Sequence, residues 1–254
     1  MKKKVSAALL FVCLIAATQF VGLAPEKQGM LNSLVAVNQA SGTVISSFEN
    51  EGKNYSYVLS CSHVIKEAPP EQVPILFNDI NSKGVIVSFS GGVGFVVENN
   101  EKLDYAILLV ETPKKWPAAK TATVAQIFNL KLFDKVYTVG RPAFRPIWVT
   151  EGILSCFNTS VLNPAEWKND GSALGHSASM TSGNSGGPLF TASGLMIGVN
   201  SRIGTVRGSI RNEQGGTIGE IPLHINHVAL AVSLEAVYND LGKLKTKLYF
   251  GSEK

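Results

Sequence analysis

The chain has 254 residues, 45% hydrophobic and 17% charged, with a formal net charge of +4 at pH 7. That balance excludes a disordered chain and supplies enough apolar side chain for one large or two small packed domains. Apart from Lys2, Lys3 and Lys4 the basic residues are scattered, which excludes the basic stripe of a nucleic-acid binder.

The basic start is followed by Val5–Leu23, an apolar run broken only by Ser6, Thr18 and Gln19. Residues 1–24 therefore read as a secretory signal peptide cut after Ala17 or Ala24, or as an uncleaved membrane anchor. The protein is expected to be exported, and to touch a membrane only through this segment.

Short apolar stretches bounded by turn residues come next. They are Ser33–Val37, Thr43–Phe48, Tyr55–Ser60, Val85–Phe89, Tyr105–Val110, Val136–Val139, Ile147–Ser155, Pro188–Thr191 and Leu195–Asn200. Such a series predicts an all-β sandwich or barrel. Thr112–Lys120, with Pro113 and Pro117, reads as a linker between two halves. Asn158–Ala173 and Gly204–Gly219 read as long loops. Helical periodicity emerges at the end, where Ser233 caps a helix over Leu234–Leu241 and Gly242 stops it. Cys61 and Cys156 are expected to be buried free thiols. No second ligand pair follows the Cys61-x-His63 spacing, so no zinc site is expected.

The most specific motif is Ser182-Gly183-Asn184-Ser185-Gly186-Gly187-Pro188-Leu189. A nucleophilic serine needs main-chain N–H groups aimed at a forming oxyanion, and flanking glycines let the backbone turn sharply there. Such a serine needs a base. His63 follows an apolar strand and a small Ser-Cys-Ser stretch, and is the strongest of the four histidines. The base in turn needs an orienting carboxylate. Asp104 leads directly into the apolar run Tyr105–Val110, where a partly desolvated carboxylate needs a partner.

Taken in order, these segments resemble a trypsin-like serine protease, in the style of the bacterial HtrA/Deg protease domain. Ser41-Gly42-Thr43, Leu59–Ile65, Asp104–Leu108, Val139–Pro142, Val149–Ser155, Gly183–Leu189 and Ile197–Ser201 carry the likeness, over residues 30 to 243. It implies two six-stranded antiparallel β-barrels and a C-terminal helix, with one barrel over 30–112 and the second over 121–243. It implies a serine endopeptidase in which Ser185 attacks, His63 transfers the proton and Asp104 holds His63. Gly183 and Ser185 supply the oxyanion hole, and no metal or cofactor is used. Ser179, Met180, Thr181 and Ser182, with Asn200, Ser201 and Arg202, would line the substrate site.

Asn184 departs from the family pattern: secreted trypsins carry there an Asp that pairs with a freshly cut N-terminus, so no such activation is expected. With no carboxylate at Ser179–Ser182, a small or medium apolar residue is expected before the cut, or an acidic one drawn by Arg202. A substrate-binding protein without activity and an esterase are the rival readings.

Overall fold

Val, Ile, Leu, Phe and Tyr at alternate positions drive the chain after the leader into strands that each need a covered face. The computed structural model describes residues 22–66, 68–70, 72–141, 146–157, 173–211 and 217–244, with the main chain alone described along 205–211, 217–227 and 243–244. Most of the segment expected to be a leader, the whole of the expected Asn158–Ala173 loop except Ala173, and residues after 244 lie outside the described residues.

Strands β1 (Leu34–Val37), β2 (Ala40–Asn50), β3 (Lys53–Ser60), β4 (Val73–Ile80), β5 (Ile86–Asn100) and β6 (Tyr105–Thr112) close a barrel in the order β1-β2-β3-β6-β5-β4. Strands β7 (Lys135–Gly140), β8 (Trp148–Phe157), β9 (Ala173–His176), β10 (Pro188–Thr191), β11 (Met196–Arg211) and β12 (Thr217–Ser233) close a second, in the order β10-β11-β12-β9-β8-β7. Pairings in both barrels are antiparallel, and each six-stranded sheet closes on itself. Helices α1 (Pro25–Asn32), α2 (Ser62–Ile65), α3 (Val124–Phe128) and α4 (Leu234–Leu244) complete the described elements. This is the chymotrypsin-like architecture with its C-terminal helix.

One apolar cluster fills the first barrel around Val35, Val58, Ile75, Phe77 and Leu108. A larger one runs from Leu59, Tyr105 and Ile107 of the first barrel to Leu189, Phe190 and Val199 of the second, so the barrels share a core. The connecting segment is stitched to both. The Ala119 N–H donates to the Val44 carbonyl (2.8 Å) and the Met196 N–H to the Lys120 carbonyl (2.8 Å). Trp116 is buried, stacked on Phe77 with ring centroids 5.0 Å apart.

Several readings are corrected. Gly204–Gly219 is no long loop: its described residues continue β11 and open β12, pairing from Thr205↔His224 to Arg211↔Thr217. Alternation of Val206, Gly208 and Ile210 with Ile221, Leu223 and Ile225 was the strand signal beneath the Gly and Arg content. Gly242 does not stop the last helix, which runs on to Leu244. Ser233 does cap it, accepting from the Glu235 N–H (3.2 Å). Strand β5 extends through Asn100, and β4, β9 and α1 were not anticipated. Helix α1 starts on Pro25, whose fixed φ suits a first turn.

Candidate active site

Three segments meet where the barrels face each other. Strand β3 ends at Ser60 and the chain turns into the single-turn α2, which carries His63. The Asn100–Tyr105 turn between β5 and β6 carries Asp104 at φ +58, a left-handed conformation unusual outside glycine. The loop before β10 carries Ser185.

The imidazole Nδ1 of His63 lies 2.9 Å and 3.0 Å from the two Asp104 carboxylate oxygens, and the His63 main-chain N–H donates to the same carboxylate (3.0 Å). The Ser201 hydroxyl donates to the other oxygen. Burial pushes the Asp104 carboxyl up. The His63 hydrogen bonds and charge, with the Ser201 hydroxyl, outweigh that and hold it below its ordinary value. Asp104 is buried and His63 exposed, as suits a fixed orienter and a working base. The Ser185 hydroxyl donates to the Ser201 carbonyl (3.2 Å) rather than to the imidazole.

The Ser185 loop needs its glycines. Gly183 and Gly186 have φ of +96 and +82, and a Cβ on Gly186 would come within 2.1 Å of the Ser41 carbonyl. The N–H groups of Asn184, Gly186 and Gly187 donate to the Thr181, Asn200 and Asn184 carbonyls. Among the described residues those of Gly183 and Ser185 have no protein acceptor, which leaves two donors at one wall of a cavity of about 980 Å³. His63, Gly183 and Ser185 line this cavity together with Asn38, Ala40 and Leu76.

Sequence reasoning missed Ser41 as more than part of a strand motif. Its hydroxyl donates to the Gly183 carbonyl (2.7 Å) and accepts from the Arg141 N–H (2.9 Å). Its N–H donates to the Ser185 carbonyl (3.0 Å), and its own carbonyl accepts from the Ser60 hydroxyl (2.8 Å). Through its side chain and main chain together, this one residue ties the Ser185 loop to the strand that leads to His63. The signal was a serine at full burial inside an apolar strand, where each polar atom must find a partner.

The remaining expected site residues fall on two sides. Ser179, Thr181 and Ser182 are exposed and Met180 half-buried in the approach to Ser185. On β11, Asn200 and Ser201 are buried and Arg202 is exposed. The Ser201 side chain turns toward Asp104, while the Asn200 side chain donates to the Pro188 carbonyl (2.9 Å) and so braces β10. Asn184 is buried against Gly140.

Cys61 and Cys156 are both free thiols, and Cys156 is half-buried rather than buried as expected. Donor atoms of Cys61, His63 and Asp104 lie within 4.8 Å of one another. The trio suits a metal poorly. Burial, then the Asp104 charge, holds the Cys61 thiol well above its ordinary range, whereas a metal needs the thiolate. Its Sγ donates instead to the Asn200 carbonyl (3.1 Å).

Two antiparallel barrels with His, Asp and Ser from three loops at their junction define the chymotrypsin-like class. Residues 40–199 match the Trypsin-like peptidase domain, and the chain belongs to that family. It is 28% identical over 190 residues to the magnetosome formation protease MamE of Magnetospirillum gryphiswaldense, covering 73% of this chain and 23% of that one. It is 29% identical over 174 residues to the periplasmic serine endoprotease DegP of Salmonella typhimurium, covering 67% and 34%. The chain thus aligns with about a quarter to a third of these relatives' length. A solved structure described as the HtrA-type protease AlgW with decapeptide shares the fold at a TM-score of 0.57 and 19% identity, covering 82% of this chain and 51% of that one.

Proposed function

We propose that this chain is an exported serine endopeptidase acting through an acyl-enzyme. Ser185 Oγ attacks the scissile carbonyl. His63 takes its proton and returns it to the leaving amine. Asp104 fixes the imidazole with Nε2 free to work and stabilises the imidazolium. The developing oxyanion is met by the N–H groups of Gly183 and Ser185. Water then cleaves the ester by the same steps in reverse order. The observation that carries this reading is the convergence of the His63–Asp104 pair, at 2.9 Å, with Ser185 and two unused main-chain donors. The names of the relatives, DegP and MamE among them, agree with it.

Substrate main chain is proposed to pair with β11 near Ser201. Ser179–Ser182 contain no carboxylate, which favours a small or medium apolar residue before the cut over Lys or Arg. The buried Asn184 amide cannot form the ion pair that activates secreted trypsins, so a freshly cut N-terminus is not required.

The hydrogen bond from Ser185 to the Ser201 carbonyl favours a second reading, in which the site binds polypeptide without turning it over. A fluorophosphonate probe separates the two. Wild type is expected to label at Ser185, and Ser185→Ala and His63→Ala are not. A folded wild-type chain that refuses the probe would replace the peptidase with the binding protein.

A further inference from the structure

Strand β5 carries an apolar row on its outer face. Val85, just before the strand, then Val87, Phe89, Val93, Phe95 and Val97 recur at every second position, save for Gly91, and are 41–63% exposed. Solvent normally faces polar residues on such a strand, and a contiguous exposed row of this kind marks a contact surface. The row adjoins the candidate active site. Val93 is paired with Pro74 of β4 and Gly91 with Leu76, and directly paired residues share a face of the sheet. Pro74 and Leu76 are also the far wall of the cavity that opens at His63 and Ser185. Gly91 leaves the floor open there, with only a Leu76 methyl as near as 3.9 Å to a built Cβ. A chain leaving Ser185 through this cavity passes Ala36 on β1 and Leu76 on β4, then reaches the β5 row one strand, about 4.8 Å, further on. The cavity is lined by His63 and the Asn38–Ala40 turn, and of the stretches proposed to hold the residue before the cut only Ser182 reaches it, none of Ser179–Thr181 or Asn200–Arg202, which puts it on the leaving-group side of Ser185.

We infer that the β5 row is a binding surface for the substrate segment C-terminal to the cut, and that it selects extended, unfolded polypeptide with apolar side chains there. This rests on the peptidase reading above. At about 3.3 Å per extended residue, the selected positions fall roughly three to six residues beyond the cut.

The test is cut-site mapping by mass spectrometry on reduced β-casein, using the full chain, beside a variant carrying Val87→Thr, Val93→Thr and Phe95→Thr. Wild type is expected to show Val, Ile, Leu and Phe enriched about three- to tenfold at those positions, the ratio that partial burial of one side chain supports. The variant is expected to lose this enrichment while cutting after the same residue types. No enrichment in wild type, or enrichment unchanged in the folded variant, overturns the inference. So does a variant that keeps the enrichment but no longer floats with phosphatidylglycerol vesicles, since the row then serves a bilayer. Hydrolysis of a small nitrophenyl ester is followed alongside. A wild type inert to both ester and casein sinks the peptidase reading itself, whereas ester and casein turnover without enrichment sinks only the role of the row.

Discussion

Ser41 shows how much of the site depends on residues outside the His63, Asp104 and Ser185 trio. Its hydroxyl fixes the Gly183 carbonyl and so sets the peptide plane that precedes the Ser185 loop. Its N–H holds the Ser185 carbonyl from the other side. Removing the hydroxyl in Ser41→Ala leaves the Gly183 carbonyl and the Arg141 N–H without this partner and frees the loop to shift. A displacement of this kind is expected to lower kcat by about 10- to 100-fold with little change in KM, because it acts on transition-state geometry. Steady-state kinetics on the nitrophenyl ester checks this. A tenfold rise in KM at constant kcat would assign Ser41 to substrate binding instead.

At the scale of elements, the Asn100–Tyr105 turn must hold Asp104 in a left-handed conformation. The last helix supplies the restraint. Asp240 on α4 accepts from the Tyr105 hydroxyl (2.6 Å) and from the Asn100 side-chain amide (2.6 Å). The Asn100 side-chain oxygen Oδ1 then accepts from the Leu103 N–H (2.9 Å). A single carboxylate so clamps both ends of the turn that presents Asp104 to His63. Asp240→Ala is expected to lower kcat/KM about tenfold or more, since a displaced Asp104 no longer orients the imidazole. Asp240→Asn keeps an acceptor oxygen and is expected to restore most of the activity. Equal losses in both variants would reduce Asp240 to a packing role. Such clamps are hard to read in sequence because their members lie 135 and 140 positions apart. Local devices were readable: Thr123-Val124-Ala125-Gln126 has the capping-box pattern, and the structure forms both of its hydrogen bonds at the start of α3.

For the whole molecule, the shared core predicts that the barrels unfold together, and a buried histidine sets how acid affects that transition. His176 on β9 is 1% exposed, and neither ring nitrogen makes a well-aligned hydrogen bond, although the Asn200 side chain and the Ala178 backbone lie near it. Burial lowers its pKa from 6.5 to about 4, although the Asn200 side chain and the Ala178 backbone favour the proton. Between these values the unfolded chain binds the proton and the folded one does not, so stability falls as pH drops from 6.5 to about 4. The loss is at most about 3–4 kcal/mol, taking roughly 1.4 kcal/mol per pKa unit. Asp104 adds to it at lower pH: its depressed pKa stabilises the fold above the ordinary carboxyl range, and that contribution is lost as pH falls through the folded value. Urea midpoints at pH 7.5 and 4.5 are expected to differ for wild type and to converge for His176→Leu. A wild-type midpoint flat across that range would contradict the buried neutral histidine.

The sequence by itself determined the parts that depend on local chemistry. Period-two apolar runs specify strands through their pleat, Ser233 specifies a helix start, and the glycines around Ser185 specify a loop whose backbone carries donors. These signals span a few residues each, and the ordered His63, Asp104 and Ser185 segments were legible for that reason. The tertiary structure decided what depends on distant pairing. It placed Ser41 under the Ser185 loop, Ser201 behind Asp104 and Asp240 beneath the turn, and it paired the described residues of Gly204–Gly219 across the β11–β12 ladder. It also set Pro74 and Leu76 beside the apolar row of β5. Barrel closure chooses which residues share a face, and no pattern confined to one strand records its neighbour.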